Sequence, residues 1–437
     1  MHFAVEPSAL SSGTVTVPGD KSISHRALML GSIADGVTSV KGFLAGEDCL
    51  ATLAALEQMG VRVEQESATH LSIHGVGLHG LKSPSDALDL GNSGTAMRLF
   101  TGLLSGQSFP TELTGDDSLT QRPMERVIKP LEMMGAKIDS SDGRPPLGIH
   151  PVSQLSGTLY RLPVASAQVK SAILLAGLYA SGETAIIEPA VTRDHTERML
   201  RLMGVKVSSG ESQILLPSGQ TLSATDIQVP ADLSSAAFII LAAIFSEDCE
   251  VRITGVGVNP TRTGVIDILG QMGADISLDN VRLFGEEPVA DIIVRSSHLH
   301  GIEIPAEVVS LAIDEFPLLF VAAGAAIGET RFSGLSELRV KESDRIATMA
   351  SGLRALGVSV DETDDGAVIR GTEFSGGKID SYGDHRVAMA FAIAGCRAGG
   401  PVHIKDTAAV NTSFPGFVKC LQSLGGKIFE INDEDSE

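Results

Sequence analysis

The chain of 437 residues has no tryptophan, three tyrosines and fifteen phenylalanines, so aromatics make up only 4%. Hydrophobic residues still reach 43%. A core made from them is aliphatic and small-residue, which suits close helix packing. Cysteine is scarce too. Cys49, Cys249, Cys396 and Cys420 lie far apart with no CxxC, which argues against a disulfide framework or a zinc site and fits a reduced, cytoplasmic protein. Basic charge is in deficit: 33 Lys and Arg against 54 Asp and Glu, a formal net charge of −21. Nucleic-acid binders carry a basic footprint, so that class is disfavoured, although an acidic protein can still hold a local basic site. Part of the acidic excess is the run Glu430 to Glu437, expected to be solvated. The first residues, MHFAVEPSAL, lack a basic segment followed by an apolar stretch. The apolar runs Ala236 to Phe245 and Phe316 to Ile327 are too short for a bilayer and read as buried helices.

What is abundant is glycine, with 47 residues, and repetition. A helix-like run, then Leu or Met, then Gly, then a strand-like run recurs as LEQMGVRVE, LEMMGAKID, LRLMGVKVS, LGQMGADIS, LRALGVSVD and LQSLGGKIF. The glycines are Gly60, Gly135, Gly204, Gly273, Gly357 and Gly425, spaced 68 to 84 residues apart. Such periodicity is the mark of a repeat architecture, and each glycine is placed to end a helix in the left-handed conformation. A second phrase opens every unit: a polar loop, an apolar helix rich in Ala, Leu and Gly, then a strand. The first helix of a unit should be buried and the second, amphipathic, should lie nearer solvent.

Units of about 70 residues bury too little surface to stand alone, so six of them suggest two domains of three. The expected class is α/β, each domain built of three βαβαββ units with buried parallel helices, an inside-out α/β barrel. Val17-Pro18-Gly19-Asp20 and Val229-Pro230-Ala231-Asp232 are near-duplicates that mark the boundary. One domain is expected over 18–232 and a discontinuous one over 1–17 with 233–437. The chain then crosses near 18–20 and 229–232, a hinge able to close over a ligand.

The apolar positions repeat but the polar loops do not. They carry Lys21, Ser22 and Arg26; Asn92, Ser93, Gly94 and Arg98; Ser166, Gln168 and Lys170; Asp314 and Glu315; and Asp384, His385 and Arg386. All lie at or near the N-terminus of a buried helix, where unsatisfied N–H groups and the helix dipole favour anions. With Lys21, Arg26, Arg122, Arg193, Lys341, Arg345 and Arg386 they define an electropositive site for a small molecule bearing several phosphates or carboxylates, groups that arginine grips in bidentate fashion. Other readings compete. Asp20, Ser22 and Asp232 suit simple helix caps. His195 and His385 suit hydrogen-bonded structural roles, since no serine or cysteine nucleophile stands beside them. Lys341 to Arg345, KESDR, has the alternating charge of a solvated helix start. The glycines 75, 77 and 80 satisfy G-x-G-x-x-G, but Ser83 and Pro84 stand where its helix should open, so no dinucleotide site is read there. No metal-ligand spacing is evident.

The motifs PGDKSISHR, GNSGTAMR, QRPM, SAQVKSA, TRDHTE, IDEFP, RVKESDR and GDHRVAMA, in this order over nearly the whole chain, resemble those of the 5-enolpyruvylshikimate-3-phosphate synthase family. The resemblance implies transfer of enolpyruvyl from phosphoenolpyruvate to the 5-hydroxyl of shikimate 3-phosphate, with loss of phosphate through a tetrahedral ketal. It implies no metal or organic cofactor, no nucleic-acid or membrane partner, and a monomer. It assigns Lys21, Ser22, Arg26, Ser166, Ala167, Gln168, Arg193, Asp314 and Lys341 to shikimate 3-phosphate. Lys21, Gly94, Arg122, Gln168, Arg345 and Arg386 fall to phosphoenolpyruvate. Asp314 is the implied proton acceptor, Glu342 the proton donor or relay, and Lys21 a third catalytic group.

The SAQ and TRDHTE loops resemble the class II branch of the family. That branch often tolerates the inhibitor glyphosate, partly through alanine at the glycine of GNSGT, where this chain keeps Gly94. The commoner branch has a lysine just before the C-terminal TFP; Asn411-Thr412-Ser413-Phe414-Pro415 lacks it. Two other readings remain. The sister transferase acting on UDP-N-acetylglucosamine typically has Lys-Asn early and a reactive cysteine before its Arg-Pro, where this chain has Lys21-Ser22 and a cysteine-free Gly115 to Pro123. A non-catalytic anion-binding scaffold would have no use for Asp314 or Glu342.

Overall fold

The computed structural model describes residues 1–210 and 213–431, so most of the acidic run near the C-terminus, 432–437, lies outside the described residues. All six repeat glycines have positive φ, between +87° and +100°. At each, the N–H of the next residue donates to the carbonyl of a leucine five positions back: Leu56, Leu131, Leu200, Leu269, Leu353 and Leu421, at 2.9–3.1 Å. This bond occupies a carbonyl that the last helical turn leaves open, and it turns the chain into a strand.

The helices are paired within the units. We number them α1 (Lys21–Ser32), α2 (Glu47–Gln58), α3 (Gly94–Leu104), α4 (Glu125–Met133), α5 (Ala167–Gly177), α6 (His195–Leu202), α7 (Leu233–Phe245), α8 (Gly264–Gln271), α9 (Phe316–Ala325), α10 (Arg345–Ala355), α11 (His385–Arg397) and α12 (Phe417–Ser423). The odd-numbered helices α1, α3, α5, α7, α9 and α11 are the buried ones; α7 and α11 each bury all but one residue. Their starts are pinned. Asp20, Ser93, Ser166, Asp232 and Asp384 each accept a hydrogen bond from a backbone N–H two or three residues on, the capping that holds a polar loop against a helix N-terminus.

The strands form many small mixed sheets rather than one large one. Several take in a strand from a distant part of the chain. Asp226–Gln228 pairs parallel with Asp35–Lys41. His2–Glu6 lies antiparallel between Val402–Lys405 and Lys427–Ile431, and Gly13–Val15 runs parallel to Glu250–Gly257.

Two compact units result, each with its own aliphatic core. One comprises Gly19–Val229 with Leu283–Glu287; the other comprises Met1–Pro18, Pro230–Arg282 and Pro288–Glu437. The short segment Leu283–Glu287 is the tip of a hairpin. In its unit Glu287 pairs with His195 Nδ1 at 2.7 Å, while Glu286 takes Arg198 through its carbonyl at 2.6 Å and Arg201 through its carboxylate at 2.7 Å. Among the described residues no helix is long and apolar enough to cross a membrane.

Candidate active site

In the 19–229 unit, the starts of α1, α3 and α5 carry the polar loops. Lys21 is held by Asp48, Nζ to Oδ2 at 3.0 Å, with both side chains largely buried. Arg26 faces inward from the second turn of α1. Its guanidinium donates to Thr196 Oγ1 at 2.7 Å, Ser171 Oγ at 2.7 Å and the Ser22 carbonyl at 2.9 Å. Burial pushes it down to about 10, against the pull of Glu197 and Asp20, and Arg193 nearby adds repulsion. Such a cation still carries its charge at neutral pH. His25 is fully buried. Burial holds it well below the ordinary histidine range, with Lys21 and Arg26 acting in the same direction. The neutral ring sits between Thr52 Oγ1 at 2.8 Å and Ser93 Oγ at 3.4 Å.

Ser93 caps α3 and Gly94 is its first residue. A Cβ on Gly94 would lie 3.0 Å from Nη1 of Arg122 and 3.0 Å from Nη1 of Arg98. Arg122 is aimed by Asn92, which accepts from Nη2 at 2.6 Å and itself donates to Asp116 at 2.7 Å. Arg98 donates to Gln168 Oε1 at 2.6 Å, and Gln168 donates back to Thr95 at 2.9 Å. Thus Gly94, Arg122 and Gln168 meet around the starts of α3 and α5. Ser166 caps α5 and Ala167 opens it.

The other unit assembles a second cluster at the starts of α9, α10 and α11. Arg345, 1% exposed, is its centre. Its Nε meets Asp384 at 2.8 Å and its Nη2 meets Glu342 at 2.6 Å; Asp314 lies 3.7 Å from Nη1. Burial works against this charge, but Asp384 and Glu342 outweigh it and hold the proton more firmly than usual. Arg386 donates to the Asp314 carbonyl at 3.1 Å and lies 3.8 Å from the Asp314 carboxylate. Lys341 is half-buried. Burial lowers its pKa, opposed by Asp314, Glu337 and Glu342. Asp314, Lys341, Glu342, Arg345 and Arg386 therefore converge.

The solvated-helix reading of KESDR fails at Arg345, which is buried between carboxylates contributed by two other loops. Asp20 and Asp232 do cap helices, but Ser22 does not; its carbonyl holds Arg26. His195 is structural, bound to Glu287. Sequence reasoning gave no role to Asp48, and it placed Arg98 and Asp384 among the diverged polar loops without their partners, Gln168 and Arg345. Asp384 caps α11, accepts from Ser343 at 3.1 Å and carries Arg345. Its place before an apolar helix could have flagged the cap, but nothing in the sequence shows its partner 39 residues away.

A mixed α/β chain that gathers arginines, lysines and ionisable carboxylates at the N-termini of buried helices has the site of an enzyme for small polyanions. The profile of the EPSP synthase family, 3-phosphoshikimate 1-carboxyvinyltransferase, matches residues 5–421. The 3-phosphoshikimate 1-carboxyvinyltransferase of Methylococcus capsulatus is 57% identical over 424 residues, 97% of each chain. That of Legionella pneumophila strain Lens is 52% identical over 432 residues, 99% of this chain and 100% of its own. An EPSP synthase structure from Acinetobacter baumannii aligns with a TM-score of 0.88 at 52% identity, over 98% of this chain and 99% of that one. The chain belongs to the EPSP synthase family. Its activity is that of a 3-phosphoshikimate 1-carboxyvinyltransferase, a step of the shikimate pathway.

Proposed function

We propose that the two clusters serve one addition–elimination reaction between shikimate 3-phosphate and phosphoenolpyruvate. The observation that carries this reading is the buried Arg345, which gathers Glu342, Asp384 and Asp314 around a single guanidinium. The 5-hydroxyl of shikimate 3-phosphate attacks C2 of phosphoenolpyruvate while C3 takes a proton, giving a ketal. The C2–O bond to phosphate then breaks and C3 returns its proton. Asp314 accepts the hydroxyl proton, and Glu342 supplies and recovers the proton at C3. Glu342 bonds to Arg345 as a carboxylate. An anion bound to Arg345 competes for that guanidinium and favours the protonated Glu342 that donation needs.

Lys21, Ser22, Arg26, Ser166, Ala167, Gln168, Arg193 and Lys341, with Asp314, bind shikimate 3-phosphate. Lys21, Gly94, Arg122, Gln168, Arg345 and Arg386 bind phosphoenolpyruvate. Charge-assisted hydrogen bonds of about 1.5–3 kcal/mol each offset the desolvation of two polyanions, and fixing both substrates lowers the entropic barrier. The finer architecture goes with this reading: domains of 18–232 and of 1–17 with 233–437, each of three βαβαββ units around parallel buried helices. So do membership of the class II branch, supported by SAQ and TRDHTE, a monomeric state and a cytoplasmic location.

The test is phosphate release with both substrates, comparing wild type with Asp314→Ala. Wild type should release phosphate only when both are present and form an enolpyruvyl ether. The variant should lose several orders of magnitude in kcat, on the scale of a lost general base, yet still bind shikimate 3-phosphate by calorimetry. A kcat near wild type would remove Asp314 from the base role.

A further inference from the structure

Behind the Arg26 cluster lies a second, drier set of charges that the reaction as described does not use. Lys170 sits in the first turn of α5, two residues past Gln168, with its side chain 1% exposed. Its ammonium is 2.8 Å from Glu197 Oε1 and 3.1 Å from Glu188 Oε2, and it donates to the Thr192 carbonyl at 3.3 Å. Both carboxylates are buried, and Thr192 Oγ1 donates to Glu188 in a short hydrogen bond. One side chain thus fastens three segments: the start of α5, the loop from Glu188 to Thr192, and the first turn of α6.

Those segments carry the shikimate-phosphate groups. Ser166, Ala167 and Gln168 open α5, and Arg193 follows Thr192. Thr196, next to Glu197, takes Arg26 Nε; Ser171, next to Lys170, takes Arg26 Nη2; and Thr196 and Ser171 share a hydrogen bond of 2.7 Å. Glu197 also opposes the effect of burial on the Arg26 charge. Desolvating three ions to join helices is costly, and an apolar contact would do as well for packing alone. The value of the ammonium is directional: it fixes where the Thr192 carbonyl and the α6 turn lie relative to α5.

We propose that Lys170, clamped by Glu188 and Glu197, is a positioning residue that sets the spacing of Arg193, Arg26 and the Ser166–Gln168 turn for the phosphate of shikimate 3-phosphate. This rests on the assignment of those groups to that substrate. Of the groups assigned to phosphoenolpyruvate only Gln168 lies in these segments, and it is also held by Arg98 and Thr95. Lys21, Gly94, Arg122, Arg345 and Arg386 lie outside them, so phosphoenolpyruvate should feel less of it.

The experiment compares wild type, Lys170→Met/Glu197→Gln, Lys170→Arg and Arg193→Ala. It reads kcat, the KM of each substrate and the thermal transition. The double variant is used because Lys170→Met alone would strand two carboxylates in the core. The expected result for folded double variant is a KM for shikimate 3-phosphate raised on the order of tenfold, with the KM for phosphoenolpyruvate within about twofold. Lys170→Arg keeps the charge but changes the geometry; it should shift the same KM in the same direction, and it carries the test if the double variant does not fold. Both KM values unchanged, or both raised alike, would overturn the proposal while Arg193→Ala still weakens shikimate 3-phosphate. An unchanged KM in Arg193→Ala would overturn the substrate assignment itself, and this proposal with it.

Discussion

Gly94 illustrates how one missing methyl group can matter to an anion site. The atoms a Cβ would meet are the guanidinium ends of Arg122 and Arg98, each at 3.0 Å. These ends can swing away, so Gly94→Ala should leave stability nearly unchanged. Their displacement is nonetheless a loss, because Arg122 is otherwise aimed by Asn92 and Arg98 holds Gln168. The expected outcome is a KM for phosphoenolpyruvate raised several-fold, about 1 kcal/mol of lost binding, and weaker inhibition by glyphosate. Steady-state kinetics with both ligands checks this; an unchanged KM and inhibition constant would mean that Gly94 does not border that substrate. The residue itself was legible in GNSGT. Arg98 and Arg122 were named as site residues too, but that their guanidinium ends close on Gly94 was not readable, because it depends on how the next turn of α3 and a loop 28 residues away pack against it.

At the scale of elements, the buried helices meet through small residues. A Cβ on Gly102 would lie 2.2 Å from the carbonyl oxygen of Ala172 and 2.7 Å from its Cα. Backbone cannot yield as a side-chain tip can, so Gly102→Ala must push α3 and α5 apart. Overpacking of this kind costs about 1–3 kcal/mol. Because the same two helices present Gly94 and Ser166 at their starts, activity should fall along with stability. Gly204→Ala is the control. Nothing lies within 4 Å of its Cβ position, but its φ is +89°; the strain costs about 1–2 kcal/mol and should leave kcat and both KM values unchanged. Urea unfolding together with kinetics on the two variants separates packing from strain. Equal kinetic effects in both would argue against the helix contact as what positions the site. The repeat glycines were readable from their spacing, since a helix that must stop before a strand has few other ways to do so. Gly102 was not, because its need depends on a partner helix about 70 residues on.

At the scale of the whole molecule, buried ionisable groups tie stability to pH. His25 has a folded pKa below its unfolded value of about 6.5. Above pH 6.5 it is neutral in both states and takes nothing from stability. As pH falls below 6.5 the unfolded chain gains a proton that the buried ring refuses, and stability drops by up to about 1.4 kcal/mol per pH unit. Glu188, whose pKa burial raises, acts in the opposite sense: the folded state binds the extra proton, and stability falls as pH rises from about 4.5. The comparison therefore sets wild type against His25→Gln in denaturant titrations from pH 7 to 5. The variant should lose one proton's worth of the acid-side decline; parallel curves would mean that His25 is protonated in the folded state.

The sequence by itself determined the helix ends, the alternation of buried and amphipathic helices, and the motifs that mark the EPSP synthase family. Each of these depends on neighbours within a few residues, so composition and spacing suffice. Only the tertiary structure decided which charges are buried and with whom. Arg345 lies among Asp314 and Asp384 from the loops that lead into α9 and α11, Lys170 between Glu188 and Glu197, and Glu286 and Glu287 hold α6 from a hairpin tip some 90 residues away. A charged side chain has the same letter whether it is solvated or clamped. Burial and pairing follow from where distant segments pack, and no local period encodes that.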